Sequence, residues 1–275
     1  MFHLGITKLK DADIIFKAQL YIKVIILMHN LKKEGKPMNS PYNEQVRSFP
    51  AAEAIPSERA DFIRKTYTHL AGAVAAFVGI EVILVPSPLA QMMTRAISGS
   101  KYGWLMILGG FMLLGWMARN LAASTQSRQM QYAGLGLYVL VQAIIFVPLL
   151  YIAAMLSSPD VLPTAAFITG ALFIGLTATV FMTKKDFSFL GSILTIGGFV
   201  ALGLIVAGTI FGFSLGLAFS GGMVLLAGGA ILYDTSKVIN HYSTDNYVGA
   251  SLELFASVAL LFWYVLQIVL RMSRR

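Results

Sequence analysis

Seven apolar stretches of about 20 residues, each long enough to cross a ~30 Å hydrocarbon layer as a helix, predict an all-α integral membrane protein folded as a seven-transmembrane-helix bundle. Composition predicts the same class, because 57% of the 275 residues are hydrophobic, 12% are charged and the mean hydropathy is +0.72. Such a chain has lipid as its natural solvent. The third observation is that the connections between the stretches are short and polar or rich in Gly and Pro.

Residues 1–37 differ from the rest, with seven Lys against three acids, so +4 of the formal +8 sits there. The apolar run at 24–28 is too short to span and lacks a small-residue cleavage pattern, which argues against an export peptide. Two readings of this basic extension stand side by side. One is a basic amphipathic helix lying on the membrane surface. The other is a translated ribosome-binding site: Lys33-Glu34-Gly35-Lys36-Pro37 can be encoded by a purine-rich stretch just ahead of the Met38 codon, which makes Met38 the true start. Residues 38–61 are rich in Ser, Pro, Asn and Glu and carry too little apolar surface to offset the entropy of ordering, so a flexible cytoplasmic tail is expected.

The transmembrane domain, 62–275, holds the spans at 67–85, 104–119, 132–156, 164–182, 190–211, 215–234 and 248–270. The fifth and sixth are joined by only Gly212-Phe213-Ser214, which forces an antiparallel hairpin. Arg59, Arg64, Lys65, Arg119, Arg128, Lys184, Lys185 and Lys237 fall on the side of the amino terminus, and the opposite loops hold Arg95 and Lys101. The positive-inside bias therefore places the amino terminus in the cytoplasm. Arg271, Arg274 and Arg275 at the other end oppose that bias. The glycine pairs 197–198, 221–222 and 228–229 read as close helix packing, not phosphate binding.

The basic residues are spread thinly between apolar runs without a basic face, so nucleic acid is not an expected partner. The chain has no Cys, which excludes a disulfide framework, a thiol nucleophile and any Cys-containing metal site. No nucleophile and base stand at a recognisable spacing, so no enzyme and no cofactor are expected.

Asp234 and Glu253 are carboxylates at membrane depth, and an ionised acid there costs about 2.5–3.5 kcal/mol, which makes both site candidates. Glu81 near the outer end of the first span reads most simply as an interfacial carboxylate, with a role where a cation enters as the alternative. His69 is expected to be hydrogen bonded at the interface, Gln142 to bond between helices, and His241 to be a solvated loop residue.

The loop TKKDFSFLG (183–191), the segment GAILYDTSKVI (229–239) and the last span ASLELFASVALLFWYVLQIV (250–269) resemble the Bax inhibitor-1 family, in particular its bacterial YccA-like branch. The resemblance implies six helices around a central last one and, for some members, a pH-gated calcium leak. Calcium would then be a transported ion. It also implies a bacterial inner-membrane location and admits a different function, binding and modulating a membrane complex such as a quality-control protease. In the leak-type members two Asp share a proton and engage an Arg. The first Asp maps onto Asp234, whereas the second maps onto Ser257 and the Arg position onto Ala118, one residue before Arg119. Glu253 lies one helical turn from Ser257 and offers a replacement carboxylate. The expected pH-sensing set is thus Asp234, Glu253, Arg119 and Ser257. The plainer reading pairs Asp234 with Lys237 and lets Glu253 snorkel to water.

Overall fold

A computed structural model of the chain describes residues 50–99, 103–122, 127–211 and 215–273. The basic extension, Met38, the first part of the tail, Lys101, the 212–214 turn, Arg274 and Arg275 lie outside the described residues. Those described form eight helices: α1 (Pro56–Leu84), α2 (Pro88–Gly99), α3 (Gly103–Ala122), α4 (Arg128–Met155), α5 (Val161–Thr183), α6 (Leu190–Phe211), α7 (Gly216–Asn240) and α8 (Tyr247–Met272). Five of them, α1, α4, α5, α7 and α8, are long and apolar enough to cross a membrane.

α1 begins with Pro56 in the first helical turn, where a missing N–H removes only a donor that would be orphaned anyway. It therefore starts inside the stretch expected to be flexible. Just before it, the Ala51 N–H donates to the Tyr242 carbonyl at 2.8 Å and Pro50 pairs with Ser243, so this segment docks on the α7–α8 connection. α2 occupies the connection between the first and second expected spans, where no helix was assigned. α7 runs on to Asn240, which puts Asp234 inside a helix instead of at its end.

α8 packs against α1, α3, α4, α5 and α7, and in the most apolar window of both α4 and α8 72% of residues are buried. The corresponding shares for α1 and α5 are 22% and 17%, and large apolar side chains such as Phe167, Met182 and Leu225 face outward. An exposed apolar surface of this extent needs a nonaqueous neighbour, and lipid supplies it. The protein is accordingly a multi-pass membrane protein. Lys184 ends α5 in the left-handed region (φ 51°), with its N–H on the Val180 carbonyl, and turns the chain into the loop carrying Asp186.

Candidate functional site

Glu253 and Ser257 stand one turn apart on α8, and each binds a different neighbour. Arg119 of α3 donates through Nη1 to both Glu253 oxygens, at 2.9 and 2.8 Å, and through Nη2 to the Tyr138 hydroxyl of α4 at 2.8 Å. Its guanidinium also lies 4.8 Å from the centre of the Tyr138 ring. Ser257 donates its hydroxyl to Oδ2 of Asp234 on α7. Arg119 and Asp234 are buried, and Glu253 retains 17% side-chain exposure.

The displaced Arg reaches this site because α3 and α4 touch at a glycine. A Cβ on Gly134 would fall 2.3 Å from the Ala122 nitrogen and 2.5 Å from the Ala118 carbonyl oxygen, so only Gly permits the approach. Tyr138 follows Gly134 by one turn and meets Arg119 across that contact. Tyr242, at the end of α7, stands beside the same charges. Burial, and then the negative charges of Glu253 and Asp234, hold its hydroxyl well above the ordinary phenol range.

Of the expected residues, the structure brings Arg119 to Glu253 and Ser257 to Asp234. Lys237 is not where the plainer reading put it: its ammonium lies over the Tyr233 and Tyr242 rings, 5.3 and 6.0 Å from their centres. Glu253 does not snorkel, because Arg119 holds it. Glu81 is a correction. It is buried, 6% exposed, because it continues the inward stripe Phe62, Thr66, Leu70, Ala73 and Phe77 at helical spacing, and neither of its oxygens has a hydrogen-bond partner among the described residues. One turn below it, the Phe77 ring packs edge-on to Phe146 and Phe255, at 5.2 and 6.1 Å between centres, and Phe255 packs on Tyr138 at 6.2 Å. Ring contacts thus run from Phe77, one turn from Glu81, to Tyr138, which binds Arg119.

His69 is hydrogen bonded as expected. Its Nδ1 lies 2.7 Å from the Lys65 carbonyl, which can only accept, so Nδ1 carries the proton. Nε2 meets the Tyr132 hydroxyl at 2.9 Å. The buried Gln142 departs from expectation, since its Nε2 has no partner among the described residues. His241 is exposed and lies just past the end of α7, as expected, and it has partners there as well. Its Nε2 lies 2.7 Å from the Ser188 hydroxyl and 3.4 Å from Asp186, in a loop that is further tied to α7 by the Ser236 hydroxyl donating to Asp186 at 3.1 Å. Hydrogen bonds from Ser188, against a smaller opposing effect of burial, hold the Asp186 carboxyl below the usual range. Sequence reasoning missed Tyr138 and this loop set because both depend on contacts between distant segments. Among the described residues no group of three or more His, Asp or Glu is placed to hold a metal ion.

Residues 59–275 match the family model described as inhibitor of apoptosis-promoting Bax1. Over 252 residues the chain is 29% identical to Bax inhibitor 1 of Schizosaccharomyces pombe, covering 86% of this chain and 90% of that one. It is 37% identical over 111 residues to the modulator of FtsH protease YccA of Escherichia coli K12, covering 40% of this chain and 50% of the relative. An uncharacterised Pseudomonas aeruginosa protein is 42% identical over 110 residues, or 40% of this chain and 49% of that one. The chain thus spans about half the length of these two bacterial relatives.

Proposed function

The chain belongs to the Bax inhibitor-1 family, and on that premise we propose that it is a pH-sensitive cation leak, with calcium as the transported ion, built as seven crossings around a central α8. The observation that carries this reading is the double attachment of α8, to α3 through Arg119–Glu253 and to α7 through Asp234–Ser257. Ionised, Glu253 holds α3 against α8. Protonated, it loses the charge that Arg119 grips, and the helices loosen. Asp234 acts on the α7 side in the same way, although Ser257, which does not titrate in this range, only supports it. The aromatic layer around Phe77 is the dry barrier, with Glu81 beyond it as the outer site for a cation. In this arrangement the end carrying Arg119, Lys184 and Lys185 faces the cytoplasm.

Purified protein in calcium-indicator liposomes tests the proposal. Flux should rise on acidification, and Asp234→Asn and Glu253→Gln should each flatten that dependence. Unchanged pH dependence in both variants makes the set purely structural. Absence of flux in the wild type overturns the leak.

A second reading is favoured by the relative named as a modulator of FtsH protease. A chain of this fold can bind a membrane protease without transporting anything. The docked segment at Pro50 and Ala51, which leads directly into the helical bundle, would then couple a bound tail to α7. Co-purification with a membrane protease, together with silent liposomes, selects this reading. Placement in a bacterial inner membrane is common to both.

A further inference from the structure

A groove of about 550 Å³ lies between α1 and α4. Its floor includes the buried Ala73 and Val139, and its walls include Gly72 and Ala76 on one side and Gly136 and Leu140 on the other. A Cβ built on Gly72 or Gly136 would meet no atom within 4 Å, so the two glycines open space instead of closing a helix contact. The lining runs along α1 from Thr68 to Ile80. At 1.5 Å per residue that is roughly 18 Å, close to the ~15 Å depth of one leaflet's hydrocarbon.

Only one end of the groove is polar. There His69 and Tyr132 meet Tyr247, whose hydroxyl lies 3.3 Å from that of Tyr132. Two cations share the Tyr247 ring, with Lys65 Nζ 5.6 Å and the Arg128 guanidinium carbon 4.6 Å from its centre. Asp61 accepts from both Arg64 and Lys65 at the surface. Arg128 donates to the Asp245 backbone carbonyl, a neutral acceptor, and makes no ion pair among the described residues. Arg64, Lys65 and Arg128 therefore outnumber Asp61 and Asp245, and positive charge remains beside the groove mouth.

We propose that this groove is a binding site for one anionic glycerophospholipid, with an acyl chain along Gly72 and Gly136 and the phosphate between Arg128 and Lys65 at the Tyr247 ring. An apolar slot one leaflet deep selects a chain over a soluble ligand. Basic and aromatic groups at its mouth select a net negative headgroup, as basic pockets between membrane helices do. The site does not depend on ion conduction, and the protein can hold such a lipid whether it leaks cations or binds a protease.

The full chain in neutral detergent is titrated with phosphatidylglycerol and with phosphatidylcholine of identical acyl chains, and bound lipid is counted by native mass spectrometry. One phosphatidylglycerol should be retained, with at least about tenfold preference over phosphatidylcholine, and Arg128→Gln and Lys65→Gln should each weaken it about fivefold. Gly72→Leu combined with Gly136→Leu fills the slot and should abolish retention of either lipid. Thermal stability should not fall, because Leu is the better helix former and its Cβ at either position meets no atom within 4 Å. Equal affinity for the two lipids overturns the headgroup site, and undiminished phosphatidylglycerol binding by the filled variant overturns the groove. Competition by inorganic phosphate alone would also overturn the proposal, because the chain would then contribute nothing.

Discussion

Breaking the Arg119–Glu253 pair tests the central contact on α8 directly. Arg119 is 6% and Glu253 17% exposed, and removing one partner of such a pair leaves a buried charge uncompensated. Each single change, Arg119→Met or Glu253→Gln, should cost about 3 kcal/mol, the lower end of the ~3–5 kcal/mol range because Glu253 keeps some exposure. At roughly 2–4 °C per kcal/mol for a domain of this size, Tm in detergent should fall by about 6–12 °C. The double variant removes both charges and should cost little more than either single one. The cycle should therefore show a coupling of about 2–3 kcal/mol, to be read from thermal unfolding of all four proteins in the same micelles. Single effects that add to within ~0.5 kcal/mol in the double variant would refute the pair as an energetic latch.

Gly134→Ala pushes a Cβ into α3 backbone, which cannot give as a side-chain tip can, and should destabilise by about 1–3 kcal/mol and shrink the Arg119–Glu253 coupling; an unchanged cycle would detach Arg119 from this helix contact. Glu81→Leu replaces a buried carboxylate that has no partner among the described residues and should raise stability by about 1–3 kcal/mol while reducing any cation flux, so a fall in Tm would show that Glu81 is held. For Asp186 the sign follows from its lowered pKa: its ionised form stabilises the docked loop fully above about pH 4, and that contribution is lost as pH falls through the depressed value. Hydrogen exchange at the Ser188 amide, which donates to Asp186 at 2.9 Å, should stay protected from pH 7 to 5 after correction for intrinsic rates; loss of protection in that interval would contradict the assignment.

The apolar runs were legible because spanning helices need length and hydropathy, both local properties. The run at 190–211 coincides with α6, and those at 164–182 and 248–270 differ from α5 and α8 by a few residues at each end. The polar ends were less legible. α1 begins well before its apolar run and α7 continues well past its own, and hydropathy ceases to mark a helix once it leaves lipid. Glu81 was legible in principle, since it follows Phe77 and Ala73 at helical spacing on the buried stripe, but its nearness to the end of the apolar run suggested an interface. The partners of His241 were not legible, because Ser188 and Asp186, which it meets, are more than fifty residues away in the chain.

Arg119 shows why register alone misleads at such a site. A shift of one residue rotates a side chain about 100° around its helix, enough to point an Arg away from its partner. Here the partner differs as well: the carboxylate that meets it, Glu253, stands one turn away from Ser257, the position where the family resemblance places an Asp. The Gly134 contact lets α3 lie close enough for the Tyr138 hydroxyl and ring to steer the guanidinium to that carboxylate. The displaced Arg and the displaced acid thus compensate one another, and α8 keeps a charged contact to α3 beside a hydrogen-bonded contact to α7. What the structure holds is a carboxylate contact on each side of one buried helix: Glu253 of α8 reaches α3 through Arg119, and Asp234 of α7 reaches α8 through Ser257.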